Sequence, residues 1–484
     1  MRCVNRVANQ SSNSVVTQVE AAPAEKPHFH QSIGLISATA INMNSMCGVG
    51  PFITIPAMVS VMVGPRALLG WLLGSIVAMA DGLVWAELGA AMPGAGGSYL
   101  FLREAFQYRT GKLLPFLFVW TAILSLPLIL SCGVIGFYQY LGTFVPNLSP
   151  VENHVIGLAM VVGVVALLYR RIESVPIINI VLWGVTLAAM GVTIAASFSH
   201  FDAGRAFDFS QSWMGNGSFL AGLGSGLVIA LYDYTGYGTT AYMGAELKNP
   251  GRVMPGSIIL SILAIGALYL SMQLGILGAA PWQEVAKSTN VASAVVGKYW
   301  GPKGAILVSV LVMIAAAASI FTGLLGSSRV LFNAARDGVF FSSFGKLHPR
   351  LHFPHIALLV MGLIVAMGSF FAVPAVINIL TGVTVLIQSL GQVVALTVLR
   401  KRQPSLHRPY RQTFYPLPSL ISLVGWSYAF VALDKLSIFL SFAWVAFGCI
   451  AFLIYARARK TWPWAPPEVR EEFLERRRVN VDAG

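Results

Sequence analysis

Residues Tyr232 to Thr240 read YDYTGYGTT, inside the longer apolar run FLAGLGSGLVIALYDYTGYGTTAYMGA. The run is long enough to cross a bilayer as one helix, yet near its middle it carries a carboxylate, Asp233, and a glycine pair, Gly236 and Gly238. Glycine weakens a helix interior and admits non-helical dihedrals. A carboxylate at the centre of a membrane helix costs about 2.5–3.5 kcal/mol on insertion scales and is by default a functional group. The stretch therefore predicts a membrane helix that breaks at mid-depth beside an ionisable side chain.

The remainder of the chain supplies the membrane. Of 484 residues, 56% are hydrophobic and 11% charged, with a mean hydropathy of +0.72, whereas about 25% charged residues is usual in a soluble domain. Runs of roughly 20 apolar residues, the length of a transmembrane helix, recur twelve times, at about 33–61, 67–91, 113–142, 151–169, 175–197, 218–244, 255–279, 303–331, 355–373, 374–399, 416–433 and 436–456. Pro374 divides the ninth from the tenth. Residues 1–30 are polar and lack the apolar core and small-residue cleavage site of a secretory signal, so they read as a disordered tail. Residues 458–484, ending PEVREEFLERRRVNVDAG, read as a solvated tail with mixed charge at helical spacing. Cys47, Cys132 and Cys449 fall within the runs and Cys3 in the tail, which leaves no extramembrane pair for a disulfide framework.

The net charge of +13 acts mainly on topology. With the N-terminal tail in the cytoplasm, 26 of the 32 Lys and Arg fall on the same side; the others are Arg66, Arg205, Lys287, Lys298, Lys303 and Lys435. Retention of basic residues on the cytoplasmic face sets orientation, so both termini are expected in the cytoplasm of a multi-pass protein of the cell (inner) membrane. No aromatic-interleaved basic patch suggests nucleic acid as a partner; the lipid bilayer and a small molecule are the partners expected, for a monomer or homodimer.

A second interruption lies in the first run, NMNSMCGVGPFITIP, where Gly48 and Gly50 precede Pro51, which has no backbone donor. Unsatisfied backbone at membrane depth costs several kcal/mol per group, so broken helices persist only where they line protein or a watery cavity. The breaks fall in spans 1 and 6. Five spans per unit place the second unit upside down, and glycine- or proline-interrupted segments in matching positions of inverted halves point to a transporter's site. Either glycine pair alone is equally well explained by close helix packing; the match between them carries the reading. The fold expected is all-α and membrane-embedded, with a cytoplasmic tail at 1–30, a first inverted repeat at 31–200 (spans 1–5), a second at 201–400 (spans 6–10), spans 11 and 12 at 401–457 and a tail at 458–484.

Four pieces carry a resemblance: GVGPFITIP in span 1, AELGAAMPGAGGSYLFLREAF after span 2, GYGTTAYMGAELKNPGRVMP after the second break, and SSRVLFNAARDGVFFSSFGKLHPRLHFPHIAL from span 8 to span 9. Their order and spacing resemble the bacterial-type permeases of the amino acid, polyamine and organocation superfamily, which have the leucine-transporter-like 5+5 inverted-repeat fold. The resemblance implies that the backbone of Cys47, Gly48, Val49 and Gly50 receives a substrate carboxylate. It also implies that carbonyls of Met46 and of Tyr232, Asp233, Tyr234 and Thr235 receive the ammonium, with Gly236, Tyr237 and Gly238 completing the second break. Leu126 and Leu130, flanking Pro127 in span 3, would shape an apolar wall. The function implied is secondary active transport of an amino acid or small organic amine by alternating access, as an antiporter or symporter. Uptake or exchange of polyamines and other cationic amines is the alternative.

Asp233 goes beyond that common plan. It would pair with a substrate amine, beside the aromatic faces of Tyr232, Tyr234 and Tyr237, or carry a coupling proton. The sequence also departs from relatives that place a carboxylate two residues after the glycine aligned with Gly236, because Gly238 stands there. Other coupling candidates are Asp81 and Glu87 in span 2, and Ser319 and Thr322 in span 8, which would serve a sodium ion unless they back-bond to their own helix. No cofactor is expected apart from a coupling proton or sodium. A membrane enzyme or a sensor is the rival class, but no HExxH or Walker loop is present and the eight histidines lie in tails, in connections or, as His154 and His355, within the first four residues of a run, so the chain reads as a non-enzyme.

Overall fold

The structure, a computed structural model, describes residues 31, 33–94, 96–145, 147–169, 175–209, 219–349 and 353–464, with the backbone alone at 175–179. The tail expected at 1–30 and residues 465–484 of the second tail lie outside the described residues.

Each long apolar run forms helix, because a backbone in lipid can satisfy its N–H and C=O groups only within its own segment. The first run is two helices, α1 (Leu35–Met46) and α2 (Gly50–Met62), bent by 52° across Cys47–Val49. Pro51 lies in the first turn of α2, where a missing N–H costs nothing. Next come α3 (Ala67–Ala91), α4 (Ser98–Thr110), α5 (Leu113–Leu141), α6 (Pro150–Leu168), α7 (Val175–Phe198) and the short α8 (Ala203–Ala206). The opening stretch then divides as expected: α9 (Phe219–Tyr234) stops, four residues turn, and a 3-10 segment, Thr239–Glu246, resumes. Asp233 thus belongs to the last helical turn, and the unwound residues begin at Thr235.

The second half continues with α10 (Pro250–Ala279), α11 (Trp282–Lys287), α12 (Val291–Arg336), α13 (His355–Gly368), α14 (Val373–Thr384), a π-turn at Val385–Ser389, α15 (Leu390–Arg402), α16 (Leu417–Val431) and α17 (Lys435–Ala458). The boundary expected near Pro374 is real: α13 ends at Gly368 and α14 starts with Pro374 in its first turn. The run expected from 303 is part of a longer helix that begins at Val291 and turns at Gly301, whose φ of +78° is open to glycine. Among the described residues, eight helices are long and apolar enough to cross a membrane, and the bent pair α1–α2 makes a ninth. Strands are absent among the described residues apart from one isolated parallel bridge, Ile33 with Leu247.

Burial separates centre from periphery. The apolar stretch of α5 is 72% buried, whereas those of α6 and α17 are 17% and 22% buried, so α5 runs through the middle and the others face outward. α3 packs on α9 and α10, α12 on α5 and α7, and α1 on α10. Pro56 inside α2 cannot donate to the Phe52 carbonyl. The Tyr140 hydroxyl of α5 donates to it instead, at 3.2 Å, and accepts Ala292 N from the start of α12 at 3.3 Å. That hydroxyl ties α2, α5 and the α11–α12 cover together.

Candidate functional site

The two helix breaks lie against each other. A Cβ on Gly236 would stand 2.7 Å from the carbonyl carbon and oxygen of Ser45 and 2.9 Å from Met46 N, and the φ of Gly236 is +129°. Glycine is required there both for conformation and for backbone contact. The Asn42 side-chain oxygen, one turn before the first break, accepts Thr240 N at 3.0 Å and so caps the 3-10 segment. Met46 ends α1 and Asp233 lies in the last turn of α9, where carbonyls lose their i+4 donors. Both carbonyls accept from the Tyr269 hydroxyl of α10, at 2.9 and 3.2 Å. At the other side of the first break, Gly50 opens α2 without a side-chain cap at the positive end of its dipole; Pro51 has no N–H and Phe52 N turns back to Val49 O at 3.1 Å, which leaves the Gly50 N–H. Carbonyl ends and an N–H end therefore lie side by side, the combination that can grip the ammonium and the carboxylate of one small zwitterion.

Asp233 is 3% exposed and points at Gly50, where any Cβ would collide with its Oδ1. Its other oxygen, Oδ2, meets the Thr54 hydroxyl, and no ion pair among the described residues includes it. Thr54 has one hydroxyl hydrogen and two acceptors within reach, Asp233 and the Gly50 carbonyl at 3.0 Å. One hydrogen cannot fill both, so the pair has room for one more proton or for a donor from a ligand. Its chain neighbours Tyr232 (7% exposed) and Tyr234 (0%) are buried with it.

Asp81 is a second buried carboxyl beside the breaks, and its setting is the opposite. Tyr237 donates to Oδ2 at 2.6 Å, Trp85 to the same oxygen at 3.0 Å, and Ser422 of α16 to Oδ1 at 2.7 Å. Three donors satisfy it. Tyr237 is thereby held between the two glycines, and the Trp85 ring covers Gly238 at 2.6–2.8 Å from where a Cβ would be. These two members of the expected site face α3, while Asp233 faces α2.

One side of the breaks is accessible. Ser45 is exposed, and Gly48, Thr235, Gly236, Ser319 and Thr322 are half-buried or close to it, whereas Cys47, Val49 and Gly50 are buried. A Cβ on Gly48 would meet Ser319 of α12 at 3.8 Å, and Leu130 packs onto Gly323, while Leu126 is half-buried one turn away on α5. The hydroxyls of Ser319 and Thr322 donate back to Ala316 O (2.9 Å) and Ala318 O (3.0 Å) of their own helix. Thr235 does the same to Leu231 O at 2.8 Å.

Glu87 lies apart from the breaks. Fully buried, it accepts from Arg400 Nε at 2.8 Å and from Gln412 N at 2.7 Å, with Arg408 Nε at 3.5 Å. It fastens the α15–α16 connection to the end of α3. Thr54, Asn42, Tyr269 and Ser422 were not singled out by the sequence. Asn42 and Thr54 had a signal, being polar residues about a turn either side of the first break; Tyr269 and Ser422 had none.

The sequence profile described as amino acid permease matches residues 33–466. The chain is 28% identical over 431 residues to the Asc-type amino acid transporter 1 of Mus musculus, covering 84% of this chain and 77% of that protein. It is 23% identical over 470 residues to the branched-chain amino acid permease BcaP of Bacillus subtilis (strain 168), covering 90% and 95%. With the serine/threonine exchanger SteT of the same organism the identity is 25% over 401 residues, covering 82% and 89%. A multi-pass helical chain with paired helix breaks, matched along nearly its whole described length, belongs to the amino acid permease family.

Proposed function

We propose that this permease is a secondary transporter that carries an amino acid or small organic amine across the cell membrane by alternating access. The observation that carries the reading is the juxtaposition of the Met46 and Asp233 carbonyl ends with the N–H end at Gly50. In the proposed complex the substrate carboxylate meets the backbone of Cys47–Gly50, and its ammonium meets carbonyls of the two breaks. The exposure of Ser45 beside the half-buried Gly48 and Thr235 supports an approach along α1 and the 3-10 segment. With both termini in the cytoplasm, this is the inward-facing state.

In the same proposal α9 with its 3-10 segment, α13 and α16 complete twelve crossings, and the breaks in spans 1 and 6 relate two inverted five-span repeats, at 31–200 and 201–400, followed by spans 11 and 12. The names of BcaP and SteT denote branched-chain residues and serine or threonine, which supports a substrate whose side chain is uncharged. A second reading, a cationic amine, is favoured by one observation: Asp233 has no basic partner in any ion pair among the described residues. Either way Asp233 with Thr54 is the place for a coupling proton or a second amine. Purified protein in proteoliposomes, assayed with neutral, basic and acidic amino acids and polyamines under imposed proton or sodium gradients, tests the reading. Movement of a neutral amino acid supports the first form and of a polyamine the second; failure to move any amine defeats both.

A further inference from the structure

Tyr269 lies on α10, outside every stretch that marks the site in the sequence. It is fully buried, with its ring 5.1 Å from that of Trp71 and 5.6 Å from that of Tyr234. Trp71 is itself fixed by its indole N–H, which donates to Gln273 Oε1 at 2.9 Å, one turn along α10 from Tyr269. The hydroxyl therefore has little freedom. It reaches Met46 O at 2.9 Å and Asp233 O at 3.2 Å, so one O–H is shared between the ends of two different half-helices.

Those two ends would not stay together unaided. Each carries the negative pole of its helix, and each carbonyl has lost the donor that a continuing helix would supply. Two like poles facing across a buried gap repel, and the repulsion is strong where little water screens it. A hydroxyl between them places its one hydrogen where the two oxygens share it. Each carbonyl oxygen has two lone pairs, and Tyr269 engages one direction on each. The second direction on Met46 O is met by Gly48 N at 3.2 Å, so the Asp233 oxygen keeps a direction for a ligand and an ammonium at Met46 O takes the place of the Gly48 N–H.

We infer that Tyr269 is the positioning residue of the amine subsite: its hydroxyl sets the spacing and aim of the Met46 and Asp233 carbonyls to which a substrate ammonium binds. The inference rests on the amine reading above and adds that the subsite's shape is held from α10. It also limits the ammonium to the face of the carbonyl pair away from Tyr269.

The test is Tyr269→Phe, which keeps the ring contacts and removes only the donor. Initial rates in proteoliposomes, normalised to reconstituted protein that elutes as a single species, should show KM for a transported amino acid raised about ten-fold or more, with kcat within about two-fold. A merely structural loss would lower the active fraction and leave KM unchanged. A second arm needs no substrate. Ser45→Cys, on the exposed end of α1, is labelled with a maleimide in the presence and absence of Tyr269→Phe, and the rate should rise several-fold once the two ends are no longer held. If wild type moves an amine and KM is unchanged in the variant, the inference falls while the transport reading stands. If wild type moves no amine, the transport reading falls and the labelling rate decides alone: acceleration supports Tyr269 as the tie between the breaks, and an unchanged rate overturns it.

Discussion

Replacing Gly236 by alanine tests whether the two helix breaks must touch. The added methyl would stand 2.7 Å from the carbonyl carbon and oxygen of Ser45 and 2.9 Å from Met46 N, all backbone atoms with no side-chain torsion to yield. The residue also has φ of +129°, where a Cβ is strained. Left-handed backbone costs an alanine about 1–2 kcal/mol, and overpacking a well-filled site adds about 1–3 kcal/mol. Together these disfavour the observed juxtaposition by about 2–5 kcal/mol, a factor of roughly thirty to several thousand at 1.4 kcal/mol per decade. The protein can relieve most of this by letting the 3-10 segment draw back from α1, so folding and membrane insertion should survive while the carbonyl ends separate. In the proteoliposome assay we expect KM raised at least thirty-fold, or uptake abolished, in protein that still elutes as a single species. Wild-type KM together with wild-type thermal stability would refute the reasoning, because it would mean that the contact at Ser45 is not part of the working state.

Asp233→Asn should lower transport at least ten-fold or abolish its dependence on an imposed proton gradient, since a side-chain amide cannot carry the proton that the pair with Thr54 has room for; uptake at the wild-type rate with the wild-type pH profile would exclude both proposed roles. Glu87→Gln leaves Arg400 and Arg408 facing a neutral group and should cost about 3–5 kcal/mol, the usual penalty for removing one partner of a buried pair, seen as a lower unfolding temperature with KM unchanged in the folded fraction. Asp434 caps α17 through Ser437 N at 2.9 Å, and Asp434→Ala should cost about 1 kcal/mol in thermal stability. Burial alone would raise the Asp434 carboxyl, but donors from Ser437 and Asn378 outweigh it and hold the group below the usual carboxylate range. Because the folded value is the depressed one, its contribution is present at neutral pH and disappears as pH falls below about 4; a Tm difference between wild type and Asp434→Ala that stayed undiminished down to pH 2 would contradict this.

The breaks were legible because backbone chemistry is written locally. Gly48, Gly50 and Pro51, or Gly236 and Gly238, change what the chain can do at their own positions, and no distant residue is needed to interpret them. The partners were not legible. Thr54 lies 179 positions from Asp233 and Tyr269 lies 223 from Met46, so only folding brings them together. The same limit explains Asp81: from the sequence, coupling and packing are equally good readings of it, and only the convergence of Tyr237, Trp85 and Ser422 reveals a carboxyl already supplied with donors. Ser319 and Thr322 follow the common habit of hydroxyls in membrane helices and bond back to their own turns. Hydropathy located the twelve runs but not the extension of α12 back to Val291, because the residues around Lys298 and Lys303 interrupt the apolar pattern without interrupting the helix.

The bridge between Ile33 and Leu247 has a bearing on the path of the substrate. Ile33 N donates to Glu246 O at 3.1 Å and Lys248 N donates to Ile33 O at 2.9 Å, so the start of α1 is stitched to the end of the 3-10 segment. The same two elements meet again at their far ends, through Asn42 and Thr240 and through Gly236 and Ser45. Fastened top and bottom, they form one wall of the proposed inner passage. A seam closed at both ends is a poor exit, so substrate released toward the cytoplasm would leave across the face that this wall presents to α5 and α12, where Leu126, Ser319 and Thr322 are accessible.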